Sequence, residues 1–405
     1  MKIGILRENK TPPDKRVPLT PLQCVEVQQK FPDVSVTVQP GRMRCFKDND
    51  YTKQGITVNE DISGCDILFG VKEVQNSDFI SGKIYLFFSH TIKKQAYNRK
   101  LLQTVLEKKI QLVDYEVLTD KSGLRIIGFG RFAGLVGAYN GLRAYGLRNR
   151  LFDLKPAHLC FDLNEMIVQL NNIQIPPIKI AVTGDGRVAG GAIEIMKYLK
   201  IERVSPAEYI SKTYPNVVYT QLIPQNYVRR KDFGSFDLIH FFNHPDEYEN
   251  AFLPFTKTTD LLITAAYWDP KAPVLFTVEN MKQNDFRISV ISDITCDIEG
   301  SVPSTKKAST IDEPFYDYNP QNGNLEMAFS SFDNITVQAV DNLPCELPKD
   351  ASEDFGRDLI DKVFPAIFRD DPDGIIDRAS ITKNGKLTPG FLYLQDFLKK
   401  KSRSN

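Results

Sequence analysis

The stretch Lys179-Ile180-Ala181-Val182-Thr183-Gly184-Asp185-Gly186-Arg187-Val188-Ala189-Gly190-Gly191 leaves this chain few folds to choose from. An apolar, β-branched run ends in Gly-x-Gly-x-x-Ala, and a helical pattern over 188–199 follows at once. A turn of that kind lets the backbone approach a pyrophosphate, which then rests on the first amides of the helix. The strand before it and the helix after it separate this pattern from a chance glycine match. Gly184 and Gly186, with Arg187, Val188 and Ala189 opening the helix, are therefore candidate dinucleotide-binding residues. A glycine turn that serves only helix–sheet packing is the plain alternative.

The rest of the chain repeats the strand–helix theme. Strands are predicted at 2–6, 34–38, 66–71, 84–89 and 110–115, with a helix over 93–108 and a further strand at 124–129. Alternation of this kind implies a mainly parallel sheet with helices on its faces. A helix is predicted over 132–151, where Gly134, Gly137, Gly141 and Gly146 recur three to five apart and flatten one face for close backbone packing. After Pro176-Pro177 comes a second unit, with strands at 178–183, 201–204, 236–242, 261–267 and 287–293. The segment 297–324 reads as an irregular crossing, 353–368 as helix and 399–405 as a polar, frayed tail. A chain of 405 residues exceeds what one core fills, since cores stop growing near roughly 250 residues. The expected fold class is α/β, with two doubly wound, Rossmann-like domains.

Composition excludes several function classes. Lys+Arg and Asp+Glu are both 51, so no global field draws nucleic acid or an anionic membrane, and a small-molecule substrate is the expectation. No apolar run approaches the roughly 18 residues of a membrane span. Cys24, Cys45, Cys65, Cys160, Cys296 and Cys345 form no CxxC pair and are accompanied by only four histidines, so reduced cytoplasmic thiols are expected and neither a disulfide framework nor a metal site is.

Two further readings come from strand ends, beyond which ligands bind in open parallel sheets. An acidic residue about 20 positions after the glycine turn would hold the ribose 2′-hydroxyl and repel a 2′-phosphate. Here the strand at 201–204 ends in Ser205-Pro206, so NAD and NADP both stay open. In the first domain the ends carry Arg7, Lys72-Glu73, His90 and Glu116. Lys72 and His90 are candidates for acid–base work, because a lysine near other cations and a histidine both titrate near neutrality. A solvated strand-end lysine and a capping histidine are the plain alternatives. Arg16 and Arg125 have the fork geometry to grip substrate carboxylates.

The start, Met1-Lys2-Ile3-Gly4-Ile5-Leu6-Arg7-Glu8 with Arg16-Val17-Pro18-Leu19-Thr20-Pro21, resembles the superfamily of alanine dehydrogenase, the transhydrogenase α-subunit and saccharopine dehydrogenase. Narrower blocks are Tyr85-Leu86-Phe87-Phe88-Ser89-His90-Thr91-Ile92-Lys93 with Gln95, Leu112-Val113-Asp114-Tyr115-Glu116, Ser292-Asp293-Ile294-Thr295-Cys296-Asp297 and Asp341-Asn342-Leu343-Pro344. They resemble lysine-forming saccharopine dehydrogenase and the lysine-ketoglutarate reductase half of aminoadipic semialdehyde synthase, nearly from end to end.

That resemblance implies a reversible reaction in which saccharopine, NAD or NADP and water give lysine, 2-oxoglutarate and reduced cofactor. It implies an acid–base pair at Lys72 and His90, carboxylates that tune it at Glu73 and Glu116, and substrate contacts at Arg16, Gln95 and Arg125. It places Ser292, Asp293, Ile294 and Thr295 along the cofactor cleft, and Ser205 where the ribose acid would stand. It also implies an active-site cleft between a substrate domain, 1–131 plus 325–405, and a dinucleotide domain, 132–324. Two other readings stay open: an alanine dehydrogenase-like enzyme, and a dinucleotide-binding protein without catalysis. Oligomeric state is not read from the sequence.

Overall fold

The computed structural model describes residues 1–9 and 14–399, which form two compact units, Met1–Phe129 with Pro348–Asn405, and Gly130–Leu347. Residues 400–405 of the expected polar tail lie outside the described residues. The first unit opens with β1 (Lys2–Ile5), β2 (Ser35–Val38), β3 (Thr57–Val58), β4 (Ile67–Phe69), β5 (Ile84–Phe87) and β6 (Gln111–Asp114), each parallel to its neighbours among these six. All three residues of β4 are buried, which is why an unbroken apolar run suits a strand covered on both faces. The helix Pro21–Lys30 starts where it does because Thr20 accepts from the Gln23 amide while the Gln23 side chain accepts from the Thr20 amide, with proline at the first helical position.

The second unit contains β7 (Lys179–Thr183), β8 (Glu202–Arg203), β9 (Val218–Leu222), β10 (Val228–Arg230), β11 (Tyr248–Asn250), β12 (Leu261–Thr264), β13 (Val290–Asp293), β14 (Phe315–Tyr318), β15 (Leu325–Glu326) and β16 (Ile335–Gln338). Its eight-stranded sheet runs β15-β14-β16-β13-β12-β7-β9-β8, parallel except where β14 meets β16 and β15. β10 and β11 form a separate antiparallel ladder. The chain then returns to the first unit, where β17 (Ser380–Lys383) and β18 (Lys386–Leu387) complete the order β18-β17-β6-β5-β4-β1-β2-β3. Because β14, β15 and β16 belong to the second sheet, the chain crosses back at Pro348 instead of near 325. Cys24, Cys45, Cys65, Cys160 and Cys296 are free thiols.

Four local expectations give way. The run 124–129 is no strand: only an isolated bridge links Thr119 and Arg125, and the ladder beside β6 is taken by β17 from the chain's return. The run 236–242 is helical over Leu238–Asn243, because the Asp237 carboxylate accepts from the His240 amide and starts a helix. The segment 297–324 holds β14, which is antiparallel to β16. The helix expected over 93–108 is regular only at Arg99–Glu107, since His90 and Lys94 take left-handed backbone angles and break the preceding turns.

The glycine-rich helix, Gly130–Arg148, packs on the helix that follows the phosphate-binding turn, Arg187–Tyr198. A Cβ on Gly134 would stand 1.9 Å from the Val188 carbonyl oxygen, and one on Gly191 would stand 2.0 Å from the Arg131 carbonyl oxygen. The two backbones therefore touch directly. Gly191→Ala should destabilise the protein by about 2 kcal/mol or more, since backbone has no rotamer with which to retreat. The adjacent Gly190→Ala meets nothing within 4 Å and should be neutral or stabilise by up to about 1 kcal/mol through helix propensity. Urea unfolding of the two variants side by side checks this, and equal midpoints would refute the packing argument.

Candidate functional site

In the first unit the exits of four strands are stitched together by carboxylates. Glu8, after β1, accepts from the Val71 amide at 2.6 Å and from the Lys72 amide at 3.0 Å, which fixes the chain leaving β4. Asp114, the last residue of β6, accepts from both the amide and the hydroxyl of Ser89 after β5, and from the Glu116 amide at 2.8 Å. These anchors set Lys72-Glu73 beside His90. The His90 Nδ1 shares a 2.5 Å hydrogen bond with Glu73 Oε1, both side chains being mostly buried. His90 reaches this position through a left-handed backbone, φ 53°. Lys93 Nζ lies 3.1 Å from Glu116 Oε1, while Glu116 Oε2 is buried with no hydrogen-bond partner among the described residues.

Electrostatics follow from burial. It pushes the Glu8 carboxyl up to about 8, against the two backbone amides and with the Asp14 charge adding to the rise. Asp114 is likewise pushed up to about 6 by burial, against its bonds from Ser89 and Glu116. Asp14 goes the other way: burial alone would raise it, but the Arg16 charge and hydrogen bonds, helped by Lys72, hold it well below the usual carboxylate range. Arg16 is bidentate on Asp14, at 3.0 and 2.6 Å, and its guanidinium lies 4.0 Å from the centroid of the Phe129 ring.

Lys72, Glu73, His90 and Glu116 thus come from neighbouring strand exits of one unit, which also holds the Arg16–Asp14 pair. Gln95 and Arg125 are both exposed: Gln95 accepts from the Tyr97 hydroxyl at 2.6 Å, and Arg125 is in an isolated bridge with Thr119. The sequence alone assigned no site role to Glu8, Asp14 or Asp114. Two of them were within its reach, since Asp114 is the last residue but one of the predicted strand at 110–115 and Glu8 directly follows Arg7.

In the second unit Gly184 adopts φ +96°, and its carbonyl accepts from the Gln221 side chain at 2.9 Å. A Cβ there would press to 3.1 Å against the backbone of Ala265 and Ala266, so two separate reasons call for glycine. Gly186 precedes the twelve-residue helix Arg187–Tyr198, and no side chain caps the first amides. A Cβ on Gly186 would meet nothing within 4 Å. The turn therefore presents open space over a helix start that no N-cap side chain satisfies, the arrangement that receives a phosphate. Arg187 and Val188 begin this helix, and Ala189 is fully buried beneath it.

The other predicted cofactor residues have partners of their own within the unit. Ser292 is buried, its hydroxyl 2.8 Å from the Gly137 carbonyl oxygen and 2.6 Å from Gln338 Oε1. Asp293 accepts from the hydroxyls of Thr264, Thr295 and Thr305, each at 2.6 Å, and the Ile294 side chain fills the space over Gly137. This segment holds the unit's own packing. Ser205 caps the helix Pro206–Ser211 together with Glu208. It lies two residues past β8, an edge strand; the strand beside β7 is β9.

Comparison with known proteins agrees with this layout. Residues 4–136 match the family model described as alanine dehydrogenase/PNT, N-terminal domain. The chain is 29% identical over 437 residues to alpha-aminoadipic semialdehyde synthase of Arabidopsis thaliana, covering 97% of this chain but only 41% of that protein. It is 24% identical to saccharopine dehydrogenase [NAD(+), L-lysine-forming] of Emericella nidulans, covering 88% and 89% of the two chains. Among solved structures, an L-alanine dehydrogenase aligns with a TM-score of 0.64 over 98% of this chain at 14% identity, which shows the shared fold of two Rossmann-like domains.

Two outcomes follow from this geometry. In Gly186→Val the added side chain fills the open cradle without backbone strain, so dinucleotide affinity should fall at least tenfold while unfolding stays unchanged; calorimetric titration of the folded variant decides it. Glu8 has a folded value near 8 against 4.5 for an ordinary glutamate, so the unfolded chain releases this proton first as pH rises. Its contribution to stability is then full below about pH 4.5 and is lost as pH climbs to about 8. Glu8→Gln should lower stability at acid pH yet flatten its decline toward pH 8, read from urea midpoints across that range. A parallel decline in both proteins would exclude Glu8 as the source.

Proposed function

Starting from a chain related over most of its length to the lysine-forming saccharopine dehydrogenases, we propose that this protein is a nicotinamide-dependent oxidoreductase acting on the C–N bond of saccharopine. In this reading saccharopine, oxidised cofactor and water give lysine, 2-oxoglutarate, reduced cofactor and a proton, reversibly. The observation that carries it is the His90–Glu73 pair beside Lys72 on adjacent strand exits, in a chain that also has the phosphate-binding turn.

The cradle at Gly186 fits a dinucleotide, with the amides of Arg187, Val188 and Ala189 positioned for its pyrophosphate. A dinucleotide held there would supply the acceptor for the hydride from the Cα of the glutamate portion. This chain's own residues manage protons and orientation. The Glu73 carboxylate fixes the proton on His90 Nδ1, leaving Nε2 as the base that takes a proton from the water adding to the C–N double bond. Lys72, its backbone held by Glu8, delivers a proton to the departing lysine amine. Arg16 grips a substrate carboxylate from its seat on Phe129, with Gln95 and Arg125 as further contacts. Glu116 balances the charge of Lys93 beside them.

The test is turnover of lysine plus 2-oxoglutarate with NADH and with NADPH in parallel, followed by loss of nicotinamide absorbance. Lys72→Met and His90→Gln should each lower kcat/KM by roughly 10²- to 10⁴-fold and leave dinucleotide binding intact. The double variant should lose no more than about the larger single loss, because residues acting as one unit do not contribute separable energies. Turnover of pyruvate and ammonia alone would assign an alanine dehydrogenase instead. Tight dinucleotide binding with no turnover would assign a non-catalytic binding protein.

A further inference from the structure

The chain entering four adjacent strands of the second sheet brings a cation each time to the same place. In the order β13-β12-β7-β9 all neighbours are parallel, so their amino ends share an edge, opposite to the edge that holds Gly184. Arg287 precedes β13, Lys257 precedes β12, Lys179 opens β7 and Lys212 precedes β9. All four line a single cavity of about 290 Å³. Among the described residues no Asp or Glu is in its wall, whereas Thr213 and Asn216 add a hydroxyl and an amide.

The like charges collect here with their counter-charges set outside the wall. Arg287 Nε donates to Asp260 Oδ1 at 2.7 Å, and the other oxygen of that carboxylate accepts from the Lys179 amide. Glu208 is divided between Lys212 and the helix cap at Ser205, and Asp285 pairs with Lys257. Such exposed pairs hold weakly in water and leave each ammonium able to meet a second oxyanion. The Lys179 ammonium is held by dipoles and ring faces instead. It donates to the Tyr209 and Lys212 carbonyls, each at 2.5 Å, and lies 5.3 and 5.7 Å from the Tyr209 and Tyr214 ring centroids. Two of its three N–H groups are used in this way, and one is left for a ligand. Burial first, and then the Arg287 charge, pull its pKa below that of an ordinary lysine, with Asp260 opposing; an anion in the cavity would relieve that crowding.

The cavity is at the small end for a ligand pocket, which limits the occupant to a compact group. A phosphoryl group brings about two negative charges and three acceptor oxygens into such a space, and lysine meets it as a point charge. Pro177, Ile178 and Ile210 also give the wall an apolar side, which suits the organic part of a small ester. We infer that this cavity is a binding site for a phosphoryl group, free or carried by a small ester, separate from the dinucleotide turn and independent of it.

Calorimetric titration of the intact protein with inorganic phosphate, with glycerol 3-phosphate and, as a carboxylate control, with citrate tests this. At least one of the two phosphate compounds should bind saturably, in wild type and in Gly186→Val alike. Lys212→Gln combined with Lys257→Gln, both at exposed positions, should leave the urea midpoint unchanged and raise that Kd about tenfold or more, as expected for lost charge-assisted bonds. If the double variant shifts the midpoint, each single substitution is titrated in its place. Tighter binding of glycerol 3-phosphate assigns an ester, any other order of the two assigns the free ion, and both support the site. Loss of binding in Gly186→Val places the phosphate on the dinucleotide turn and overturns the inference. An unchanged Kd in the lysine variants overturns it as well, as do citrate binding as tightly as either phosphate compound and the lack of saturable binding at millimolar concentration.

Discussion

The second unit hangs on a contact in which no side chain takes part. The helices Gly130–Arg148 and Arg187–Tyr198 approach until carbonyl oxygens and α-carbons fill the space a Cβ would need at Gly134 and Gly191. Interiors are close-packed and take up such a contact only in one relative position. That position fixes the start of the second helix against β7, and with it the uncapped helix start after Gly186. The same long helix continues over the sheet, where Gly137 lies under Ile294 and Gly141 under Ser292. Residues 292–294, which sequence similarity places beside a cofactor, are thereby committed to holding the helix.

The first unit solves a different problem, which is how to bring several charges to one edge without losing the fold to their desolvation. Three of the buried carboxylates there are well satisfied: Glu8 by two backbone amides, Asp114 by Ser89 and Glu116, Asp14 by a bidentate arginine. The cost of burial is carried differently by each. Glu8 and Asp114 hold their protons at higher pH than exposed acids, while Asp14 stays ionised because Arg16 is beside it. Removing one partner from such a set costs more than the bond itself, because the remaining group is left buried and unsatisfied.

The sequence made the architecture readable because period and punctuation agreed. Strands β1, β2, β5, β6, β7 and β12 fall within the expected runs, and the glycine spacing over 132–151 correctly signalled close backbone packing. Failures came where a local apolar pattern was ambiguous. The run Phe236 to Phe242 has the composition of a buried strand, and only the cap at Asp237 makes it a helix. The strands β9, β14 and β16 are missing from the reading because their partners are far away in sequence, and no short-range signal pairs residues 315–318 with 335–338. Within the site, strand-end residues were legible through the rule on where ligands bind. Asp14, Glu8 and Asp114 act through backbone and ion-pair contacts that a one-dimensional census does not show.

Topology also decides what the missing acid means. The rule that an acidic residue ends the strand after the glycine-rich turn assumes that this strand lies beside the first. Here the next strand in sequence, β8, is at the sheet edge, and β9 lies between it and β7. Ser205 therefore follows a strand one place removed from the turn, where it caps a helix and binds Glu208. The neighbouring strand ends in Leu222-Ile223-Pro224, again without a carboxylate, and its Gln221 is spent on the Gly184 carbonyl. Neither strand tip places a negative charge of its own beside the turn. The strand-tip acid that would repel a 2′-phosphate is thus absent for a reason built into both the sequence and the strand order, and any discrimination between the two nicotinamide cofactors has to come from groups off the strand tips.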